Sequence, residues 1–503
     1  MLLLEAGPAD RNPWLHVPVG YGKLFSDRRY NWCYATEPQA GCHGREVIAP
    51  RGKVLGGSSA INGLIYIRGQ AEDFNQWRQS GNIGWSFDDV LPYFRKSEDN
   101  ERGPDDLHGA GGPLAVSDAR DQHPLALAYI EAAQQCGYPR NDDFNGAAQE
   151  GAGLYQTTTR NGLRCSTATG YLKPARGRAN LRVVSGALTT RILFDGRRAT
   201  GVEYRTGNET RVARAAAEVV VSSGAFNSPQ LLQLSGLGPA ALLRKFGIPV
   251  IADLPGVGEG LNDHYAGRIM LRCHEPVTLN DAVRGWAGKI AAGLHYAMTR
   301  RGYLTVSAIS AGCFLRAHPL SETPDSQCSL ALYSADSIGG GLHSFPGVTG
   351  VCSLLRPESR GHVRIKSSDP RVAPAIDPNY LATPRDRETL VAGVKAMRGI
   401  FQAPAMARHI AEEIEPGAQC DNDDKLLDFI RRRGSTTYHP VSTCRMGQDP
   451  LAVTDERLRV RGFTGLRVID ASIMPAVVSG NTNAATIMIG EKGADMLLED
   501  NRM

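Results

Sequence analysis

The last sixty residues constrain the fold most. In Leu466-Arg467-Val468-Ile469 the apolar Val468-Ile469 run, bounded by glycines and closed by Asp470-Ala471, has the pattern of a short buried strand. After Met474-Pro475 comes Gly480-Asn481-Thr482-Asn483, and then an apolar-periodic segment with Ile487, Met488, Met496 and Leu497. That segment predicts a buried helix, which Asn481 to Asn483 could cap. Upstream stands Tyr438-His439-Pro440. Proline biases the preceding residue to an extended backbone and so holds the His439 ring in a defined place. A lone histidine is most often structural. Asn483 adds weight to a catalytic reading, because amide donors and the helix dipole at a helix N-terminus favour a developing negative charge.

The start of the chain carries a second constraint. Leu2-Leu3-Leu4-Glu5-Ala6-Gly7 reads as a buried strand ending in an acid. In a dinucleotide-binding βαβ unit the second strand ends this way, and the acid hydrogen-bonds a ribose hydroxyl. The first strand and its G-x-G-x-x-G turn belong roughly 30 residues earlier. No such turn follows a strand anywhere in the sequence, Gly256-Val257-Gly258-Glu259-Gly260 having the wrong spacing. The reading predicts that this segment lies upstream of Met1, lost through a misassigned start; a chain truly beginning there would lack the pyrophosphate cradle, and an inactive truncated protein is the alternative.

Three further stretches are rich in chemistry. Arg51-Gly52-Lys53-Val54-Leu55-Gly56-Gly57-Ser58-Ser59-Ala60-Ile61-Asn62-Gly63 combines glycines that let backbone approach a planar ligand with small hydrogen-bonding groups. Val219-Val220-Val221-Ser222-Ser223-Gly224 predicts a strand turning into a helix, with Ser228 as cap and Pro229 at the first helical position. Leu254 to His264 forms a third, in which His264 reads as structural. Residues 99–122 predict a lid-like surface loop. Asn180–Val184 and Thr200–Tyr204 predict strands of a hairpin-rich sheet.

Taken together, these segments resemble the glucose–methanol–choline (GMC) family of flavin oxidoreductases. His439-Pro440, Thr443 and Met446-Gly447 match the segment bearing that family's catalytic histidine, and Asn483, 44 residues after His439, falls where a second His or Asn is expected. The resemblance implies an α/β fold: a discontinuous Rossmann-like FAD-binding domain and a substrate-binding domain built on an antiparallel sheet. The expected division is 1–264, 265–433 and 434–503, the last returning to the FAD-binding domain. It implies oxidation of an alcohol to an aldehyde or ketone, His439 taking the proton, Asn483 holding the oxygen and FAD taking the hydride. Glu5, Arg51, Gly56, Gly57, Ser58, Asn62, Gly63, Val184, Ser223, Gly224, Asp470, Ala471 and Asn483 become candidate cofactor contacts. Tyr438 and Ser310 become candidate substrate contacts. Some members bind FAD covalently through a histidine; Ile61 stands at that position, so non-covalent FAD is expected. Ser310 stands where choline-specific relatives place a glutamate, which argues against a cationic substrate. Choline oxidation proper and a redox-neutral lyase reaction are the alternatives.

Composition excludes other classes. The 503-residue chain has a net charge of +4 with no large basic block beyond Arg431-Arg432-Arg433, so nothing asks for nucleic acid. Ten scattered cysteines without a CxxC pair support neither a zinc site nor a disulfide framework, and predict reduced thiols in the cytoplasm. No metal is expected, and no segment has the ~20 apolar residues of a membrane span. A small-molecule alcohol and an electron acceptor (a quinone, oxygen or a carrier protein) are the expected partners; oligomeric state is not legible.

Overall fold

The computed structural model describes residues 1–305, 307, 309–336 and 340–501. Leu2–Glu5 pairs in parallel with Arg182–Ser185, Leu4 opposite Val184 and Glu5 opposite Ser185. Val219–Val221 pairs in parallel with Leu466–Val468. Each pair joins strands far apart in sequence, as parallel pairing requires. The stretch at 182–185 is therefore not a hairpin strand as expected; only 200–204 is, within the antiparallel ribbon Ala187–Asp195, Arg198–Thr206 and Glu209–Arg214.

The helix after Val219–Val221 begins earlier than Ser228-Pro229 suggests. It spans Gly224–Leu234, with Gly224 at φ +82. Pro229 thus sits inside it and cannot donate to the carbonyl four residues back. That carbonyl, on Ala225, instead accepts from the Thr443 hydroxyl at 2.6 Å. Ser228, freed from capping, donates to Asp470 at 2.5 Å. Helix and C-terminal strand are locked together by the two side chains.

The second sheet is antiparallel, in the order Ile410–Glu415, Tyr265–Cys273, Gly347–Leu354, Ser326–Ala331, Ala311–Leu315 and Gly151–Leu154. Helices Pro124–Gln135 and Pro384–Gln402 bury their apolar stripes against it. Gly350 permits this closeness, since a Cβ there would lie 2.7 Å from the Phe401 ring. Two large apolar cores result. One gathers residues from 66–116, 192–257 and 441–496; the other gathers 125–152 and 265–430. Pro124–Gln135 and Gly151–Leu154 therefore pack in the second core, although they precede the expected boundary at 264.

Residues 99–122 are pinned rather than lid-like. Glu98–Asn100 pairs in parallel with Leu114–Val116. Beneath it Arg68 Nη2 meets Glu98 Oε2 at 2.6 Å, both side chains essentially inaccessible. His108 bridges Glu98 at 3.2 Å and Asp143 at 2.9 Å. Bonds to these two carboxylates raise its pKa to about 9. Removing one partner of a buried pair strands the other charge in a low-dielectric interior. Glu98→Ala is expected to destabilise the protein by ~3–5 kcal/mol, read as a lowered thermal midpoint; an unchanged midpoint would contradict the pinning.

Candidate active site

His439 is positioned from three sides. Its backbone N–H donates to Asp263 Oδ1 at 2.8 Å. Asp263 also accepts from Tyr380 (2.5 Å) and Thr436 (2.6 Å), and burial raises its pKa. The preceding residue, Tyr438, holds a left-handed φ of +70. Its amide donates to Thr436 Oγ1 at 2.7 Å and its carbonyl accepts from Arg51 Nη2 at 2.6 Å. Such backbone strain persists only where surrounding bonds over-determine it. The Tyr438 ring meets Phe25 edge-on, with centroids 5.2 Å apart.

The imidazole lies between a second histidine and an amide. His439 Nδ1 is 3.0 Å from His264 Nδ1 and 3.2 Å from the Thr437 hydroxyl; Nε2 is 3.2 Å from Asn481 Nδ2. The proton positions follow by elimination. His264 Nε2 is 2.9 Å from the Leu355 carbonyl, which can only accept, so Nε2 carries hydrogen. Burial lowers the His264 pKa to about 4, so the ring is neutral and its Nδ1 is an acceptor. His439 Nδ1 must then donate to it. Burial first, then His264 and the Arg51 charge, hold His439 well below an ordinary histidine pKa, so it too is neutral. Its free lone pair is on Nε2, facing the Asn481 NH₂ group. The Asn481 carbonyl oxygen in turn accepts from Gln327 Nε2 at 3.4 Å, which orients the amide consistently.

The amide that meets the histidine ring is Asn481, two residues before Asn483, the residue that spacing assigns to the substrate oxygen. Asn483 is the first residue of the helix Asn483–Asp500; Thr482 precedes it at the cap, and neither residue supplies a capping side chain. Asn481 lies outside the helical backbone and is free to turn toward His439. Asn481 and Asn483 stand two residues apart, and of the two only Asn483 belongs to the helix. His264, read as structural, is the ring that sets the proton of His439. Asp263 lay within the Leu254 to His264 stretch without a role of its own, and Thr437 and Gln327 carried no motif that singled them out. Ser310 begins the approach to Ala311–Leu315, with its backbone tied to Tyr155 and Leu330.

The expected cofactor residues gather at strand ends. Glu5 and Ser185 close one parallel pair; Ser223, Gly224, Asp470 and Ala471 follow the other. Val184 stands in the first pair, half-buried. Carboxyl ends of parallel strands are where α/β folds bind ligands. Burial lifts the Glu5 carboxyl to a pKa of about 7, and it accepts from the Gly7 amide at 2.7 Å. Asp470 accepts from the Gly224 amide at 2.8 Å and caps the turn at Ala471 through Ser472. Gly56 and Gly57 turn at φ +93 and +53, and a Cβ on Gly57 or Gly224 would meet no atom within 4 Å. Open space therefore faces both turns. Ser58 Oγ accepts from the Gly52 amide at 3.1 Å, and Asn62 Oδ1 accepts from Arg164 at 2.6 Å, so these two side chains brace the loop. Gly63 follows, partly exposed. Arg51 reaches the Tyr438 carbonyl and so serves the histidine's loop directly.

Comparisons with known proteins agree with this architecture. The GMC oxidoreductase N-terminal family model matches residues 32–266, and the C-terminal one matches 357–490. An alcohol dehydrogenase [acceptor] of Pseudomonas putida is 42% identical over 99% of this chain and 90% of its own length. The mitochondrial choline dehydrogenase of Homo sapiens is 43% identical over 99% and 85%. Among solved structures, pyridoxine 4-oxidase from Mesorbium loti superposes with a TM-score of 0.89 at 32% identity, covering 99% of this chain and 94% of that one. With a histidine and an amide facing each other between two cores, and with both family regions matched, the chain belongs to the GMC oxidoreductase family.

Proposed function

We propose that this protein oxidises the CH–OH group of an uncharged alcohol to an aldehyde or ketone, with non-covalently held FAD as the oxidant. The neutral His439 ring, its Nε2 lone pair turned toward Asn481, is the observation that carries this reading. An alcohol carbon gives up hydride more readily once its hydroxyl proton has begun to leave. His439 Nε2 accepts that proton, within the reach a general base needs. The Asn481 NH₂ group, already at Nε2, donates to the substrate oxygen and holds it beside the base. Asp263 and Arg51 fix the backbone that carries the ring, so it cannot drift from the proton. FAD, when bound, supplies the two-electron acceptor for the hydride.

The cofactor fits the residues. Glu5, a half-buried carboxyl that among the described residues accepts only its own turn's amide, suits a ribose hydroxyl. The open turns at Gly57 and Gly224 suit close approach of a planar ring and a phosphate. Ile61, an apolar residue, offers no covalent attachment point. A two-domain division, with 434–503 returning to the cofactor-binding part, is supported by the two apolar cores. The neutral Ser310 favours an uncharged substrate over choline, while the relatives, alcohol and choline dehydrogenases at nearly equal identity, do not choose between them. Ten free cysteines suit a reducing cytoplasmic setting.

His439→Ala is expected to lower the rate of anaerobic flavin bleaching by an alcohol about 10²–10⁴-fold while yellow colour is retained. Full bleaching in that variant, or no bleaching of wild type by any alcohol, would refute the reading. Asn481→Ala is expected to slow the same step by well over the effect of Asn483→Ala; the reverse order would restore Asn483 as the partner. In ¹⁵N spectra of histidine-labelled protein at neutral pH, His439 is expected as the Nδ1–H tautomer and His264 as Nε2–H, assigned by loss of each signal in the His439→Gln and His264→Gln variants. An Nε2–H signal for His439 would overturn the assignment.

A further inference from the structure

The helix Gly285–Thr299 has an apolar face that is exposed among the described residues. Only Tyr296 on this helix is buried, its hydroxyl donating to the Gly162 carbonyl at 2.9 Å. On the side away from Tyr296, Trp286, Ile290, Leu294 and Met298 recur every fourth residue and are 78, 52, 57 and 78% exposed. At 3.6 residues per turn this spacing advances ~40° per step, so the four line an arc of roughly 120° along roughly 18 Å of helix. Ala287, Ala291 and Ala297 fall in or beside that arc and are also exposed. Scattered exposed apolar residues are ordinary; an aligned row this size marks an interaction surface.

Charge selects what the surface meets. From 282 to 321 the sequence contains no Asp or Glu, yet carries Arg284, Lys289, Arg300, Arg301 and Arg316. Arg284 and Arg301 reach Asp281 and Asp121, whereas Lys289 and Arg300 make no ion pair among the described residues. No helix among the described residues is long and apolar enough to cross a membrane. An exposed apolar arc with tryptophan at one end, cationic flanks and no acid is the composition of a helix that lies in the plane of a lipid–water interface. An acidic protein groove would match the charges too, but the convex stripe stands clear of neighbouring elements, as insertion among lipid headgroups requires.

We propose that Gly285–Thr299 is a membrane-docking helix that seats this protein reversibly on an anionic lipid surface. Trp286, Ile290, Leu294 and Met298 enter the headgroup boundary, while Lys289 and Arg300 meet lipid phosphates. The cytoplasmic leaflet is negatively charged, and attraction to it falls away within a Debye length. The docking stands apart from the alcohol chemistry, since none of these residues touches His439 or its partners.

Vesicle flotation tests it with intact protein. Wild type is expected to float with phosphatidylglycerol–phosphatidylcholine vesicles, to float far less with phosphatidylcholine alone, and to be released by high salt. The double variant Trp286→Asp/Leu294→Asp is expected to lose about tenfold or more of its vesicle-bound fraction, with thermal midpoint unchanged. Failure of wild type to float, or equal flotation of the variant, would overturn the proposal. So would light scattering that shows a wild-type dimer turned monomeric by the same substitutions, since the stripe would then be a contact between copies.

Discussion

A carbonyl oxygen can only accept hydrogen bonds, and the site's polarity descends from that fact. The Leu355 carbonyl fixes the proton of His264 on Nε2. The neutral His264 ring then presents a bare Nδ1 to His439, and His439 must keep its own proton on that side. What remains is an Nε2 lone pair aimed at Asn481. Burial makes this assignment robust. Both rings lie where the charged form is disfavoured, so neither is expected to pick up a proton at neutral pH.

The relay works because two cores meet at it. Asp263 and His264 lead into the antiparallel sheet through Tyr265–Cys273. Tyr438 to Thr443 leads into the strand-and-helix part. Asp263 ties the two through the His439 amide, and Thr443 carries the link onward to the carbonyl that Pro229 leaves open. Asn262 adds a third tie, accepting from Val477 and donating to Pro357 and Ser359. Polar contacts between apolar cores cost less than polar groups buried inside one, provided each donor finds an acceptor. Here the ties are reciprocal, and they put strain where it has a purpose, at the left-handed Tyr438.

Much of this was legible from residues. The strands at 219–221 and 466–468, the Gly56-Gly57 turn and the strand ending at Glu5 follow from pattern, and the resemblance singled out His439. Three things did not. The contact of Asn481 with the His439 ring depends on where the helix begins, to the residue, and a run of Asn-Thr-Asn does not encode that strongly. The role of His264 depends on a carbonyl 91 residues away, invisible in any local pattern. Residues 99–122 read as a mobile lid because glycine, aspartate and proline dominate, yet a buried Arg68–Glu98 pair holds them. In each case a long-range partner overrides the local signal. The exposed row on Gly285–Thr299 is the converse, a helix whose apolar side no tertiary partner claims among the described residues.

The central claim is that His264, through its bare Nδ1, dictates which nitrogen of His439 acts as the base. The most direct measurement is the pH dependence of anaerobic flavin reduction by a saturating alcohol in His264→Ala. Loss of the His264 ring removes the acceptor that holds the His439 proton on Nδ1. Because the ring is then free to take the other tautomer, the plateau rate is expected to fall about tenfold or more with flavin still bound. An unchanged plateau would contradict the account.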